Sequence, residues 1–176
     1  MFEPVLVTEH LLSSYLGRDI AEICSNSFAN RRENHCAHFV SHVLDLQFGK
    51  TCRELVSRNN RFAPGANVRV QEIFARCPAV EALDHCPTRG SALIFVSEER
   101  NFQGAPMVLR NVPKKHIGIL LNGNVWHYSN TRDKVVQQSV AEFFYHYPQQ
   151  RNALWLGTLP PTSQPTPFQG LACRAG

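Results

Sequence analysis

No Cys-x-x-Cys pair occurs in this 176-residue chain, so zinc-ribbon and thioredoxin-type sites lose their main support. There is no run of about 18 apolar residues, the length a membrane-crossing helix needs. Charge of one sign is scarce: 18 Lys and Arg stand against 14 Asp and Glu, a net charge of +4. The basic pairs Arg31–Arg32 and Lys114–Lys115 are isolated and carry no interleaved aromatic residues, so nucleic acid is not an expected partner. The first residues, through Gly17, lack a positive n-region and include Glu3 and Glu9, so no Sec leader is expected. No internal repeat is visible.

What is present is the material of a folded domain. The chain is 43% hydrophobic, with 11 Phe. A chain of this length buries roughly 70% of the surface it exposes when unfolded, so its core needs no disulfides. There are six cysteines, Cys24, Cys36, Cys52, Cys77, Cys86 and Cys173. Their even number alone does not say whether they staple, bind metal or react.

Helical signals dominate the first half. Residues 8–16 predict a helix capped by Thr8 and ended by Gly17. Residues 19–28 predict a second, with Ile20, Ile23, Cys24 and Phe28 at helical spacing. From Cys36 to Phe48 the apolar residues fall at 36, 39, 40, 43, 44 and 46, an amphipathic stripe that Gly49 suits as a terminator. Residues 51–58 add a possible turn or two of helix, residues 59–65 read as a loop, and residues 68–76 lean to helix capped by Asn67. The texture changes after Pro87. Ala92–Val96 is a short apolar run, the signal of a buried strand, and residues 97–113 read as a long polar connection. His116–Leu121 predicts a strand, Asn122-Gly123 a tight hairpin turn, and Val125–Tyr128 the returning strand. Val135–Gln138 fits another strand, Ser139 with Glu142 a capping box, and Ala153–Leu159 the last strand. The expected class is α+β: a domain over 1–159 with helices packed on one side of an antiparallel sheet, then a Pro-rich tail over 160–176.

Cys36 stands at the start of the most strongly amphipathic helix. There the dipole and unpaired N–H groups favour thiolate and are placed to hold an oxyanion. His116 opens a strand and supplies a general base. His127 lies on the hairpin partner of that strand, within reach of the far nitrogen of His116, with Asn130 and Asp133 as other candidates for the orienting role.

Cys36-Ala-His-Phe-Val-Ser-His-Val-Leu44 resembles the nucleophile helix of the NlpC family of cell-wall cysteine peptidases. Arg89-Gly-Ser-Ala-Leu-Ile-Phe95 resembles that family's Pro-Gly-Asp-Leu-Val-Phe strand, and the hairpin from His116 to His127 resembles its His-Val-Gly-Ile-Tyr hairpin. Ala153–Leu159 is similar to its closing strand, and the related CHAP amidases share the layout. The resemblance covers roughly residues 30–159. It implies a papain-like core with Cys36 as nucleophile, His116 as base and His127 as orienting residue. The implied reaction is amide hydrolysis in the stem peptides of peptidoglycan, with no cofactor. Such an enzyme without a leader is expected to be exported by another route and to act in the periplasm of a target bacterium. That makes it an antibacterial effector, for instance of type VI secretion, with an immunity protein and a secretion-apparatus carrier as partners; a phage lysis enzyme is the rival. The upstream Tyr and Gly-Gly stretch of the family has no counterpart in residues 20–34. An acyl hydrolase or acyltransferase acting on a protein, lipid or small amide is therefore the alternative. Asn34-His-Cys-Ala-His-Phe-Val40 also resembles the cysteine box of lecithin:retinol acyltransferase-like enzymes, but there the histidine strand precedes the cysteine helix.

Three further features have simpler readings. His38 and His42 are four apart on one helix face, and with His35 they have metal-compatible spacing. A polar helix face explains them as well, and no metal is assigned; a non-enzymatic metal-binding module at these residues is the least favoured alternative. Cys77 and Cys86 flank a short loop and are the one pair close enough to consider for a disulfide. Trp126, Trp155 and the cluster of Phe143, Phe144, Tyr145 and Tyr147 are expected to pack rather than bind.

Overall fold

The computed structural model describes residues 6–24, 34–46, 69–84, 90–149 and 151–160. Two short helices come first. In α1, Glu9–Ser13, the Thr8 hydroxyl accepts the Leu11 N–H at 3.1 Å, and Gly17 with φ of 80° turns the chain away after the helix. In α2, Ile20–Ile23, Asp19 and Glu22 form a reciprocal capping box. The third helix, α3, runs Cys36–Val43 and buries seven of its eight residues. It stops earlier than its apolar stripe suggests. Asp45 takes a left-handed φ of 49°, a conformation Asp tolerates, and Gly49 lies outside the described residues. In α4, Val70–Phe74, the Arg69 N–H donates to Glu72 at 2.9 Å. The expected cap Asn67, the helical turns over 51–58, the loop over 59–65 and the tail beyond residue 160 lie outside the described residues.

The second half builds a six-stranded antiparallel sheet. Its strands are β1, Val80–Ala82; β2, Ser91–Glu98; β5, Lys115–Leu121; β6, Asn124–Ser129; β7, Lys134–Ser139; and β8, Asn152–Gly157. Their spatial order is β1-β8-β2-β5-β6-β7. Strand β1 was not expected from sequence. Residues 97–113 are not one open connection either: a 3-10 turn at Glu99–Asn101 leads into a small hairpin of β3, Phe102–Gln103, and β4, Val108–Leu109. Asn122 and Gly123, with φ of 49° and 83°, make the expected tight turn between β5 and β6. Helix α5, Val140–Phe144, starts at the Ser139–Glu142 capping box.

Helices cover both faces of the sheet, which corrects the expectation of one. On the first face Leu93, Phe95, Ile117, Ile119 and Trp126 pack with Phe39 and Val40 of α3 and Ile73 and Phe74 of α4. On the second, Ile94, Val96, Leu120, Val125, Leu154 and Leu156 pack against Phe143 of α5. The reason is legible in β2 and β5. Both are apolar at successive central positions rather than alternating, and a strand of that kind must be covered on each side. Among the described residues no helix is long and apolar enough to cross a membrane.

Candidate active site

The β5–β6 hairpin brings His116 and His127 together. Leu121 pairs with Asn124 and Ile119 with Trp126. The same register puts His127 diagonally across from His116, with both rings on the α5 face. His116 Nε2 lies 2.8 Å from His127 Nδ1, and His127 Nε2 lies 2.6 Å from Gln138 Oε1 on β7. This chain fixes both tautomers. An amide oxygen only accepts, so His127 Nε2 carries the proton and its Nδ1 accepts. His116 must then donate through Nε2, which leaves the lone pair on His116 Nδ1. That nitrogen is fully buried and has no hydrogen-bond partner. A buried imidazole nitrogen with an unused lone pair is an unsatisfied acceptor that calls for an explanation.

The rings are clamped from the second sheet face. His146, just past α5, stacks on His116 at 3.9 Å between centroids and 13° between planes, and Phe143 packs against both His116 and His127. Burial pushes His116 well below its ordinary 6.5, and the neighbouring His146 and His127 push it the same way. His127 is lowered by burial, partly offset by its bond to Gln138. His146 falls to about 4, through burial and then the charge of His127. The cluster is therefore neutral at physiological pH.

Cys36 belongs to the other face, where it is 1% exposed in the core under α3. No hydrogen bond joins it to His116 among the described residues; the two approach through the backbone between them. Strands β5 and β6 are paired from Ile119 to Leu121 and part toward the start of β5. There the backbone of Ile117, the residue after His116, lies near enough to the Cys36 sulfur to pull its thiol down, as do the backbones of Ala37 and Cys36. Tyr147, whose ring packs edge-on against His146, is raised first by burial and next by the charge of Cys36.

The expectation of a thiolate at rest is not met. Backbone hydrogen bonds and Lys115 do pull the Cys36 thiol down, but burial outweighs them and pushes it up to about 12. The Cys36 N–H, expected to face an oxyanion, instead donates to Asn34 Oδ1 at 3.0 Å. Nor do the other candidate orienters meet His116. Asn130 Oδ1 accepts the backbone N–H of His35 at 3.1 Å, and Asp133 accepts the hydroxyl of Tyr128 at 2.8 Å.

Two residues of this site were missed in the sequence. Gln138 is diagonal to His127 on β7, a relation visible only once the β6–β7 register is known. His146 is hidden in the run Phe143-Phe144-Tyr145-His146-Tyr147, which reads as packing. The nitrogens of His116, His127 and His146 lie close enough together to hold a metal ion. Both nitrogens of His127 are already engaged, however, which favours proton transfer over metal ligation. Cys77 is not in a disulfide: its thiol donates to Ile73 O at 3.4 Å, and Cys86 lies outside the described residues. Trp126 is buried, as expected.

Compared with known proteins, the chain matches no family model, no curated protein and no solved structure.

Proposed function

We propose that this protein is a cysteine hydrolase of papain-like architecture that cleaves amide bonds in the stem peptides of peptidoglycan. The observation that carries the reading is the directed chain Gln138–His127–His116, which ends on a bare, buried His116 Nδ1 beside the residue that contacts the Cys36 sulfur. The order of the two halves, a cysteine at a helix start followed by a histidine hairpin, supports the same reaction class.

In this mechanism thiol and imidazole are both neutral at rest. As Cys36 Sγ attacks the amide carbonyl, its proton passes around the start of β5, where the two layers meet, to His116 Nδ1. The resulting imidazolium is stabilised at Nε2 by His127, which Gln138 holds in its accepting tautomer. The backbones of Ala37 and Ile117, which favour the thiolate form of Cys36, support the developing charge. The C–N bond breaks as His116 returns the proton to the leaving amine, leaving a thioester on Cys36. Water then attacks that carbonyl, giving its proton to His116. The acid is released and the thiol re-forms when His116 returns the proton to sulfur.

Digestion of purified sacculi tests this. Wild type is expected to release muropeptides with a new amine and a new carboxylate at one amide bond, and Cys36→Ala to release none. Equal release by the two proteins rules the reading out. Because peptidoglycan lies outside the inner membrane, expression with an added periplasmic signal should halt growth of a bacterium, and the Cys36→Ala form should not. The product masses also separate this reading from acyl transfer to a protein, lipid or small amine, where no free carboxylate appears.

A further inference from the structure

A second cluster of chemistry-bearing side chains is carried by α2 and α3. Cys24 closes α2, its N–H bonded to Ile20 O at 2.8 Å. His38 and His42 stand one turn apart on α3, with ring centroids 5.1 Å apart. The sulfur of Cys24 and one nitrogen from each histidine all lie within 4.8 Å of one another. We propose that Cys24, His38 and His42 form a zinc(II) site that clamps α2 to the helix carrying Cys36.

The donor set selects the ion. One thiolate and two imidazoles suit a borderline-soft divalent metal and exclude calcium and magnesium, which require oxygen. Tetrahedral zinc needs about 3.6 Å between sulfur and nitrogen and about 3.3 Å between nitrogens, given Zn–S and Zn–N bonds of roughly 2.3 and 2.0 Å. A side-chain adjustment of about 1 Å closes the present spacing to that value.

The surroundings fit the same role. His35 Nδ1 lies 3.2 Å from His38 Nδ1, so an outer partner holds the His38 ring, as metal-bound histidines are commonly held. His35 is itself tied to the turn after β6 by its backbone bond to Asn130. Cys24 and His38 are 4% and 2% exposed, while His42 is half-buried and gives the ion its way in. The helix pair reads from sequence as a metal-compatible spacing on its own. The structure supplies the third ligand, Cys24, from a different helix, and moves His35 to the supporting shell. The site does not depend on the reaction proposed for Cys36.

The test is titration of the chelator-stripped full chain with cobalt(II), then zinc(II). Wild type is expected to take up one equivalent at this site. It should show a near-ultraviolet thiolate-to-cobalt band that zinc bleaches, and zinc should raise the melting temperature. Cys24→Ser is expected to lose the band, while Cys36→Ser and His146→Ala keep it. His42→Ala, altered at a half-buried position, is expected to bind at least tenfold more weakly and serves if Cys24→Ser does not fold. Three results overturn the site: no charge-transfer band in wild type, a band that survives Cys24→Ser, or a band removed by Cys36→Ser but not by His42→Ala.

Discussion

At the scale of single residues, the proposed reaction depends on which nitrogen of His116 is bare. Gln138 decides that at two removes, because its oxygen can only accept. Gln138→Ala frees both tautomers of His127 and removes one buried hydrogen bond, worth about 1 kcal/mol or more. The expected result is a fall in kcat of about tenfold with KM little changed, since Gln138 touches no substrate. Gln138→Glu should restore ring orientation and raise the pH at which His116 protonates. A loss in KM alone, or no change in the pH profile of the Glu variant, contradicts the positioning role. The pH profile of wild type follows from burial. His116 is lowered below 6.5, so it stays an unprotonated base down to that pH. The expected kcat/KM is level from neutrality down past pH 6.5 and falls only well below it; an acid limb with its midpoint at or above 6.5 contradicts the assignment.

At the scale of elements, the hairpin and α5 hold the rings. Gly118 stands between His116 and Leu120 on the α5 face, and a Cβ built there meets Val125 Cγ1 at 2.5 Å, Trp126 O at 3.1 Å and His127 Cβ at 3.3 Å. Gly118→Ala should therefore cost about 1–3 kcal/mol by overpacking and displace His127 as well. Urea denaturation reads the first effect, and activity at a denaturant-free temperature well below the melt reads the second. On the other side, Ser139 accepts the Glu142 N–H at 3.2 Å to start α5, the element that delivers Phe143 and His146. Ser139→Ala should lower stability by about 1 kcal/mol, checked by the same denaturation. These elements show what was legible beforehand. The Asn122-Gly123 turn fixes its own register, so the meeting of His116 and His127 follows from residue counting. The turn from Asn130 to Asp133 has no such signature, so the partner of His127 on β7 was out of reach. The two-residue strands β3 and β4 carry too few residues for an alternating pattern. The end of α3 was misjudged because its apolar stripe continues past the turn that Asp45 makes.

At the scale of the whole molecule, the sheet keeps the thiol and the histidines in separate layers that meet only at the open end of β5. The sequence order had suggested helices on one face, and the continuous apolar runs of β2 and β5 were the sign that a second layer was needed. That layer packs around neutral imidazoles, with consequences for acid stability. His116, His127 and His146 all titrate below 6.5 in the folded chain, His146 at about 4, and Arg132 adds to the lowering of His127. The unfolded chain takes up these protons from pH 6.5 downward while the folded chain resists, so stability is full above 6.5 and is lost as pH falls toward 4. The melting temperature should fall through that window; a melt that is constant or rises over it contradicts neutral burial of the cluster. The central claim is that Cys36 forms a thioester in a reaction driven by His116. Acid quenching of wild type during turnover of a muropeptide, followed by peptide mapping by mass, tests it most directly. The account predicts an acyl group on Cys36, reduced in amount when His116 is replaced by Ala and absent from Cys36→Ala. Undiminished turnover by Cys36→Ala, or an acyl group found on another residue, would contradict it.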